Sequence, residues 1–239
     1  MKDKLSIIIP VFNEEDILRE RISDLFHKAD PEFTHEIILV DGGSSDNTLN
    51  VVNSLSKLNS IGFKVLKGEK GRAKQLNTGA AAAESDILYF LHIDSIPPSG
   101  FDRHIYQAVK NNAVGGCFRM RFDHDHILLR VSQWFTRINL PVCRGGDQSL
   151  FITKAAFDDL NGFDEAFKIY EDCDLINRFY QCYPFTIIPE TIITSARKYR
   201  ENGFWKLQYH YLVIHLKNRR RASPQQLLEY YRKNIVSPR

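Results

Sequence analysis

The sequence predicts an α/β fold with a mostly parallel central sheet, helices on both faces of that sheet and further helices near the C-terminus. Short apolar runs alternate with segments of helical periodicity through the first half of the chain, which is the pattern of βαβ units. The 239 residues are 43% hydrophobic and 26% charged, as in globular proteins. This composition excludes a disordered chain, a collagen-like repeat and a disulfide scaffold.

Four strands and three helices are predicted in order over the first 98 residues. The strands are apolar runs over 6–11, 36–40, 63–66 and 87–93, and they suit a sheet that is covered on both faces. The first helix follows Asn13, which we expect to be its N-cap. The second is indicated by apolar residues from Val51 to Leu58, and the third is the alanine-rich segment 72–83.

The second half of the chain has a less regular pattern. It predicts helices over 102–110, 127–138, 155–160 and 172–181, and strands over 116–122, 148–152 and 185–188. Two more helices are expected near 204–217 and 224–233. We find no internal repeat and no linker, so one domain with helical additions is the simplest organisation.

Cysteine spacing and hydropathy predict the compartment. The four cysteines form no C-x-x-C pair, which is typical of free thiols in a reducing environment. The apolar run near the N-terminus is interrupted by Pro10 and lacks a small-residue cleavage site, so we expect a buried strand rather than a signal peptide. No run of about 18 apolar residues is present, and we therefore expect a cytoplasmic protein.

Charge is unevenly distributed along the chain. Residues 1–190 carry 21 basic and 27 acidic side chains, whereas residues 191–239 carry 11 basic and two acidic ones. A basic segment of this length indicates either an anionic partner or a solvated helical face. The cluster at 217–221 lacks the stacking aromatic pattern of a nucleic-acid module, so no nucleic-acid partner is predicted.

Polar side chains follow the ends of the predicted parallel strands. Asn13 and Glu14 follow the first strand, Asp41-Gly42-Gly43 the second and Arg72 the third. Because ligands bind at the carboxyl ends of parallel strands, these groups predict one site. The chain has no G-x-x-x-x-G-K-[ST] and no G-x-G-x-x-G after its first strand, which argues against a P-loop protein and a dinucleotide-dependent oxidoreductase.

Two acidic positions are candidates for chemistry. Asp94 ends the sequence His92-Ile93-Asp94 beside a proline turn, and a carboxylate there suits Mg²⁺ or Mn²⁺ held together with substrate phosphates. Asp172 lies at the start of a predicted helix, where it is either a general base or a group favoured by the helix dipole. The sequence alone leaves both interpretations of Asp172 open.

Taken in order, these segments resemble the family 2 glycosyltransferases. The matching segments begin at Ser6, Asp41, Gly71, Leu91, Gly146 and Glu171 and together span about residues 5–200. The resemblance is to small soluble bacterial members, with His92 at the first position of the family's Asp-x-Asp metal motif. It implies the GT-A fold of nucleotide-diphospho-sugar transferases, with a catalytic domain over 1–200 and a basic helical extension over 201–239.

The resemblance also implies a role for each matching residue. The nucleotide would be bound in the half formed by about residues 1–98, and the acceptor in the half formed by about 99–200. The implied nucleotide-binding residues are Pro10, Phe12, Glu14, Asp41, Gly43, Arg72 and Ile93. Asp94, with His92 as a second candidate ligand, would bind Mn²⁺ or Mg²⁺, and Asp172 would be the catalytic base. Asp147 and Glu171 would lie near the acceptor, and Arg197 and Lys198 near the diphosphate.

The resulting function is inverting, metal-dependent transfer of one sugar from a nucleotide-diphosphate sugar, with uridine as the expected base. Two alternatives remain: a catalytically silent nucleotide-sugar binding protein, which His92 in place of a carboxylate would allow, and a nucleotidyltransferase. The acidic Glu14-Glu15-Asp16 after the first strand argues against the latter. A lipid-linked acceptor, peripheral contact with the inner face of an anionic membrane and a homodimer are further hypotheses.

Overall fold

The computed structural model describes residues 4–55 and 61–236, and within them seven strands form one sheet. In chain order the strands are β1 (Leu5–Val11), β2 (Thr34–Asp41), β3 (Gly62–Lys67), β4 (Ile87–Phe90), β5 (Gly115–Phe122), β6 (Leu150–Thr153) and β7 (Thr186–Thr194). Their order across the sheet is β3-β2-β1-β4-β6-β5-β7. Only the two pairs that involve β6 are antiparallel within these ranges. The predicted α/β fold with a mostly parallel sheet is confirmed.

Ten α-helices connect and flank the strands in the described ranges. They are α1 (Glu15–Lys28), α2 (Thr48–Leu55), α3 (Arg72–Ala82), α4 (Phe101–Lys110), α5 (Ile127–Trp134), α6 (Lys154–Asp159), α7 (Glu171–Cys182), α8 (Arg197–Asn202), α9 (Phe204–Arg219) and α10 (Pro224–Asn234). Three short 3-10 helices lie between α5 and β6, at Phe135–Arg137, Pro141–Cys143 and Gly146–Gln148. Leu58, which was expected to continue the second helix, lies outside the described residues.

The central strand shows why the parallel strands are continuous apolar runs. Ile7 and Ile9 pack into a core that includes residues of α1, α2 and α4. Ile8, which points the other way, packs with residues of α3, α6 and α7. Successive side chains of a strand point to opposite faces, and here both faces are covered by helices.

Several element boundaries differ from the sequence predictions. The strand predicted to reach Ile93 ends at Phe90, because the chain turns after it and the Ser95 N–H donates a hydrogen bond to the His92 carbonyl at 3.0 Å. His92 and Asp94 therefore lie in a turn beyond the strand. Asn13 is not the N-cap of α1, since that position is occupied by Glu14.

The segment before β6 also departs from the prediction. The helix predicted over 127–138 ends at Trp134. The carbonyl groups of Thr136 and Ile138 accept hydrogen bonds from the Arg144 guanidinium and not from the backbone of a longer helix. The strand predicted over 148–152 begins at Leu150, after the last 3-10 helix. The final strand is longer than predicted and runs to Thr194, because it pairs along most of β5.

The C-terminal helices form a separate packing unit on the site side of the sheet. Leu207 and Ile214 of α9 and Leu227 of α10 share a buried apolar cluster with Phe167. Across the described ranges, every helix is too short or too polar to cross a bilayer. The helices predicted near 204–217 and 224–233 are confirmed by α9 and α10.

Gly79 allows α3 to approach β1 closely, and we expect its replacement to destabilise the fold. A Cβ atom at this position would lie 2.4 Å from Ile8 Cγ2. Overpacking a core in this way costs about 1–3 kcal/mol, so Gly79→Ala should lower the free energy of unfolding by that amount in urea titrations. In an Ile8→Ala background the added methyl group has space, and the cost should largely disappear. Equal costs in both backgrounds would contradict the contact.

Candidate active site at the sheet edge

The loops after β1 and β2 are joined by hydrogen bonds. The Asn13 N–H donates to Ser44 Oγ at 2.9 Å, and the Ser45 N–H donates to Asn13 Oδ1 at 2.8 Å. The Glu14 N–H donates to Thr48 Oγ1 at 2.9 Å. Residues that follow two separate strands thus satisfy one another's backbone groups, and this fixes the two loops against each other.

Gln75 fixes the strand ends behind these two loops. Its buried amide nitrogen donates hydrogen bonds to the carbonyl oxygens of Val11 and Val40, both at 2.8 Å. A Cβ atom on Gly42 would lie 2.9 Å from Gln75 Cδ, so glycine permits this close approach. The sequence segment around Gln75 was recognised, but this role was missed, because side-chain bonds to distant backbone carbonyls leave no periodic signal.

Asp41 and Gly43 form the turn at the end of β2. The buried Asp41 carboxylate accepts hydrogen bonds from the Gly43 N–H at 3.1 Å and the Ser44 N–H at 3.2 Å. Gly43 has φ 86°, in the left-handed region that favours glycine. Lys70 lies nearby on the same edge, with its ammonium 3.9 Å from the centroid of the Phe12 ring. The edge therefore carries an aromatic ring, a carboxylate and a cation, which come from the ends of β1 and β2 and from the loop after β3.

A second cluster of charged groups lies at the N-termini of α3 and α7. Arg72 Nη1 is 2.8 Å from Glu171 Oε1 and 3.7 Å from Asp172 Oδ2. His92 Nε2 is 3.6 Å from the same Asp172 oxygen, and His92 Nδ1 is 3.9 Å from Asp147 Oδ1. Side chains that were predicted from four separate motifs therefore meet at one place.

Backbone conformation places these charges. Arg72 is the first residue of α3 and follows Gly71, whose φ of 137° is a backbone conformation that favours glycine. Glu171 and Asp172 begin α7 directly after Tyr170, which has φ 74°. The two carboxylates thus lie in the first turn of a helix, where the helix dipole favours negative charge. The cost of a non-glycine residue at positive φ is typical of a functional site.

Burial and neighbouring charges shift the pKa values of the side chains in this cluster. Burial raises the pKa of the Asp172 carboxyl, and the nearby Arg72 guanidinium opposes that rise. Burial and Arg72 together lower the pKa of His92, so its imidazole is neutral near pH 7. The Glu171 carboxylate raises the pKa of Arg72, which stays charged. Asp172 is therefore a carboxylate of raised basicity beside a neutral imidazole.

Gly146 brings the loop before β6 against Asp172. A Cβ atom at this position would lie 2.1 Å from Asp172 Oδ2 and 2.8 Å from His92 Cε1. The loop is stabilised by buried Arg144, which donates a hydrogen bond from Nη1 to Gln148 Oε1 at 2.6 Å. Gln148 in turn donates to the Cys143 carbonyl at 2.7 Å. This buried pair presents the intervening glycines and Asp147 to the site.

A cavity of about 500 Å³ opens beside the charged cluster. Arg72, His92, Asp147 and Asp172 line it at one end, together with Lys198. The remaining walls come from the segment 120–148 and from α8, α9 and α10. Four tyrosines line the cavity: Tyr170 directly before α7, Tyr199 of α8, Tyr211 of α9 and Tyr231 of α10. Sequence reasoning missed the tyrosines because helices α9 and α10 carry no motif that marks a site.

The predicted site residues divide into two groups. Arg72, His92, Asp147, Asp172 and Lys198 line the cavity, with Glu171 bonded to Arg72. Pro10, Phe12, Glu14, Asp41 and Gly43 lie instead at the ends of β1 and β2 and do not line the cavity. The side chain of Ile93 is buried in the core, which leaves its backbone for a ligand, and Arg197 does not line the cavity. Helix α3 connects the two groups. Its first residue, Arg72, lines the cavity, and its Gln75 donates hydrogen bonds to the ends of β1 and β2.

The two candidate metal ligands, His92 and Asp94, differ in their surroundings. Residues 4–55 and 61–236 contain no group of three or more His, Cys, Asp or Glu side chains arranged to hold an ion. Mg²⁺ and Mn²⁺ bound with substrate phosphates require only one or two protein carboxylates. Asp94 is partly exposed in the turn after β4 and fits this mode, while the imidazole of His92 faces Asp172 and Asp147. Asp94 is thus the better candidate of the two.

The fold is that of the GT-A class of protein: a mostly parallel sheet has polar and charged loops at its carboxyl edge, and Asp172 lies beside them at the end of a cavity. The model of the family described as "Glycosyl transferase family 2" matches residues 6–161, which is more than half of the chain. The chain belongs to glycosyl transferase family 2.

Individual proteins agree with this assignment. The chain is 27% identical over 223 residues to the "Probable glycosyltransferase YdaM" of Bacillus subtilis, covering 85% of this chain and 53% of that protein. It is 26% identical over 201 residues to the undecaprenyl-phosphate 4-deoxy-4-formamido-L-arabinose transferase of Proteus mirabilis, covering 82% and 57%. The chain thus spans about half the length of these relatives.

Solved structures share the fold. Staphylococcus aureus TarS in complex with UDP-GlcNAc superposes with a TM-score of 0.67 at 18% sequence identity, covering 89% of this chain and 65% of that one. TarS in complex with UDP gives a TM-score of 0.65 at 18% identity, covering 80% and 60%. At this identity the likeness concerns the fold, and it confirms the predicted GT-A arrangement.

Proposed function

We propose that this protein is an inverting, metal-dependent glycosyltransferase that moves one sugar from a UDP-sugar to an acceptor hydroxyl. The observation that carries the proposal is the position of Asp172: its Oδ2 lies 3.6 Å from His92 and 3.7 Å from Arg72, at the end of a large cavity. A largely buried carboxylate (14% exposed) of raised pKa, paired with Arg72 of α3 and lining the cavity, suits a general base between donor and acceptor.

The donor belongs in the cleft at the ends of β1 and β2. Phe12 and Lys70 offer a ring and a cation, and Asp41 lies at the end of β2. Uridine is supported by TarS, which has the same fold and was solved with UDP and UDP-GlcNAc. Asp94, with His92 as a second candidate, would hold Mn²⁺ or Mg²⁺, which supplies charge stabilisation to the departing diphosphate. Arg197 and Lys198 are proposed to assist at the same group.

In the proposed reaction the acceptor hydroxyl enters through the tyrosine-lined cavity. Asp172 takes the hydroxyl proton while the acceptor oxygen forms a bond to the anomeric carbon. The bond from that carbon to the diphosphate oxygen breaks on the opposite face, which inverts the configuration, and its electron pair leaves with UDP. Arg72 stays charged through its pair with Glu171 and orients Asp172. Asp147, which lies beside His92 at the charged end of the cavity, would bind the acceptor.

The pH profile should report Asp172. Because burial raises its pKa, the carboxylate is protonated, and transfer is lost, at a higher pH than an ordinary aspartate of pKa about 3.9 would require. Asp147 raises this pKa further and Lys198 lowers it. Asp147→Asn should therefore move the acid limb of kcat/KM to lower pH, and Lys198→Gln should move it to higher pH. Limbs that move the same way in both variants would contradict Asp172 as the titrating group.

The experiment that tests the function follows radiolabelled sugar from UDP-GlcNAc and UDP-glucose. Transfer to an added acceptor, or slow release of free sugar to water, with both lost on adding EDTA, is the expected result. Tight nucleotide binding without turnover in any condition would favour the alternative of a catalytically silent binding protein. Release of pyrophosphate from a nucleoside triphosphate and a sugar phosphate would favour a nucleotidyltransferase.

The domain boundaries remain part of the proposal. We assign catalysis to residues 1–200, with the donor half over about 1–98 and the acceptor half over about 99–200. The segment 201–239 is proposed as a helical extension that completes the acceptor side. This is supported by Tyr211 and Tyr231, which line the cavity from α9 and α10.

A further inference from the structure

Exposed apolar side chains are concentrated on two segments beside the cavity. Among the described residues, eleven large apolar side chains are exposed, and all except Val236 lie within 127–142 or 205–216. The first segment is α5 with the 3-10 helices that follow it, and the second is α9. We call the exposed apolar residues of these two segments the apolar rim. A concentration of this kind marks an interaction surface.

Helix α9 is apolar on two sides. Leu207 and Ile214 are buried against the rest of the protein. Trp205, Tyr209, Leu212 and Leu216, spaced by four, three and four residues, share one exposed face. Of these, Trp205 is 72% exposed. A surface helix normally has one apolar face, so the second face needs an environment that the chain itself does not supply.

Helix α5 repeats the pattern. Ile127, Val131 and Trp134 are spaced by four and three residues and are all exposed. The two helices touch where Gln208 Nε2 of α9 donates a hydrogen bond to Ser132 Oγ of α5 at 3.4 Å. Phe135 and Leu212, one from each segment, also line the cavity. The apolar rim is thus continuous with the mouth of the cavity that ends at Asp172.

The charges of the two segments are of one sign. Residues 126–146 and 202–228 contain no aspartate or glutamate. Arg137, Lys206 and the cluster Arg219-Arg220-Arg221 are exposed, and the cluster follows directly on the exposed stripe of α9. The exposed carboxylate of Asp125 borders the first segment and lies 3.5 Å from Arg130 of α5. An apolar surface bordered mainly by cations complements an anionic lipid surface. A purely apolar protein partner would not require this charge.

We propose that the apolar rim docks on an anionic bilayer surface, with α5 and α9 lying in the interface and the cavity opening towards the lipid. Trp134 and Trp205 enter the headgroup region, and Arg219-Arg220-Arg221 contact acidic headgroups. The docking does not depend on the proposed function, but its consequence for the substrate rests on it. The acceptor is then an amphiphile whose polar end reaches Asp172 while its apolar part stays in the membrane.

The test is co-sedimentation with vesicles of phosphatidylcholine alone or mixed with phosphatidylglycerol. We expect binding to the mixed vesicles and its loss in high salt. Arg219→Gln/Arg220→Gln/Arg221→Gln should weaken the partition coefficient on the order of 100-fold, because each cation near an anionic surface contributes about fivefold. Trp134→Glu/Trp205→Glu should weaken it at least tenfold.

Matched controls separate the rim from general charge and hydrophobicity. Arg19→Gln/Arg103→Gln/Lys110→Gln removes the same three charges from α1 and α4, which pack on the opposite face of the sheet from α3 and α7. Val236→Glu changes an exposed apolar residue outside the rim. Both should bind vesicles as the unchanged protein does. UDP binding, measured in every variant, shows that the fold is kept and is scored independently of docking.

Two results would overturn the proposal. One is vesicle binding that is absent, or that is equally reduced by the rim variants and their controls. The other is a dimer in sedimentation equilibrium that Trp134→Glu/Trp205→Glu dissociates, with no binding to mixed vesicles, which would make a second copy the occupant of the rim.

Discussion

Asp172→Asn should abolish sugar transfer while leaving UDP binding unchanged. The amide keeps the size of the carboxylate but cannot accept the acceptor proton, and loss of a general base lowers kcat by about 10²–10⁴-fold. The proposed donor site at the ends of β1 and β2 does not include this side chain, so we expect the UDP affinity to stay within a few-fold. The measurement is the initial rate of transfer beside a calorimetric titration with UDP.

Asp174→Asn is the matched control for this variant. Asp174 is on the same helix but pairs with Arg178 at 2.8 Å, away from the cavity. Its replacement should cost stability and little transfer. A rate for Asp172→Asn within tenfold of the unchanged protein, or an equal loss in Asp174→Asn, would show that Asp172 is not the base.

Gly146→Ala should reduce transfer about as strongly, although it removes no functional group. The added methyl carbon would occupy a point 2.1 Å from Asp172 Oδ2, so either the carboxylate or the loop must move. Displacement of a catalytic group by about 1 Å costs on the order of 100-fold in rate. Initial rates of transfer, with UDP titrations to confirm that the donor cleft is intact, provide the measurement.

The neighbouring glycine provides an unusually close control. A Cβ atom on Gly145 would meet nothing within 4 Å, and its φ of −167° is available to any residue. Gly145→Ala should therefore retain most of the activity. Similar losses in both alanine variants would mean that the loop as a whole, and not the contact with Asp172, is sensitive to substitution.

The sheet and the polar groups at its edge could be predicted because their causes are local. Strands covered on both faces require unbroken apolar runs, and Ile7, Ile8 and Ile9 show this directly. Parallel strands end at one edge, which is why Asp41 and Arg72 could both be placed at that edge from their order alone, although only Arg72 lines the cavity.

The cavity walls away from the charged cluster could not be predicted, because they are made by contacts between distant segments. Arg144 fixes the loop before β6 by hydrogen bonds to the carbonyl groups of Thr136 and Ile138. Helix α5 therefore ends at Trp134, whereas the apolar periodicity predicted a helix to residue 138. Helix α8 was missed, and Tyr199 within it lines the cavity together with Tyr211 of α9. The exposed stripe of α9 was visible in sequence only as a helix with apolar residues on every side.

The most direct test of the central claim is a calorimetric titration with UDP in the presence of Mn²⁺, Mg²⁺ or EDTA, repeated with GDP and on Asp94→Ala. The account predicts UDP binding that requires a divalent cation, exceeds GDP binding and is lost in Asp94→Ala. UDP binding that is indifferent to EDTA and to Asp94→Ala would contradict metal-dependent transfer, and no binding of either nucleotide would contradict the donor site itself.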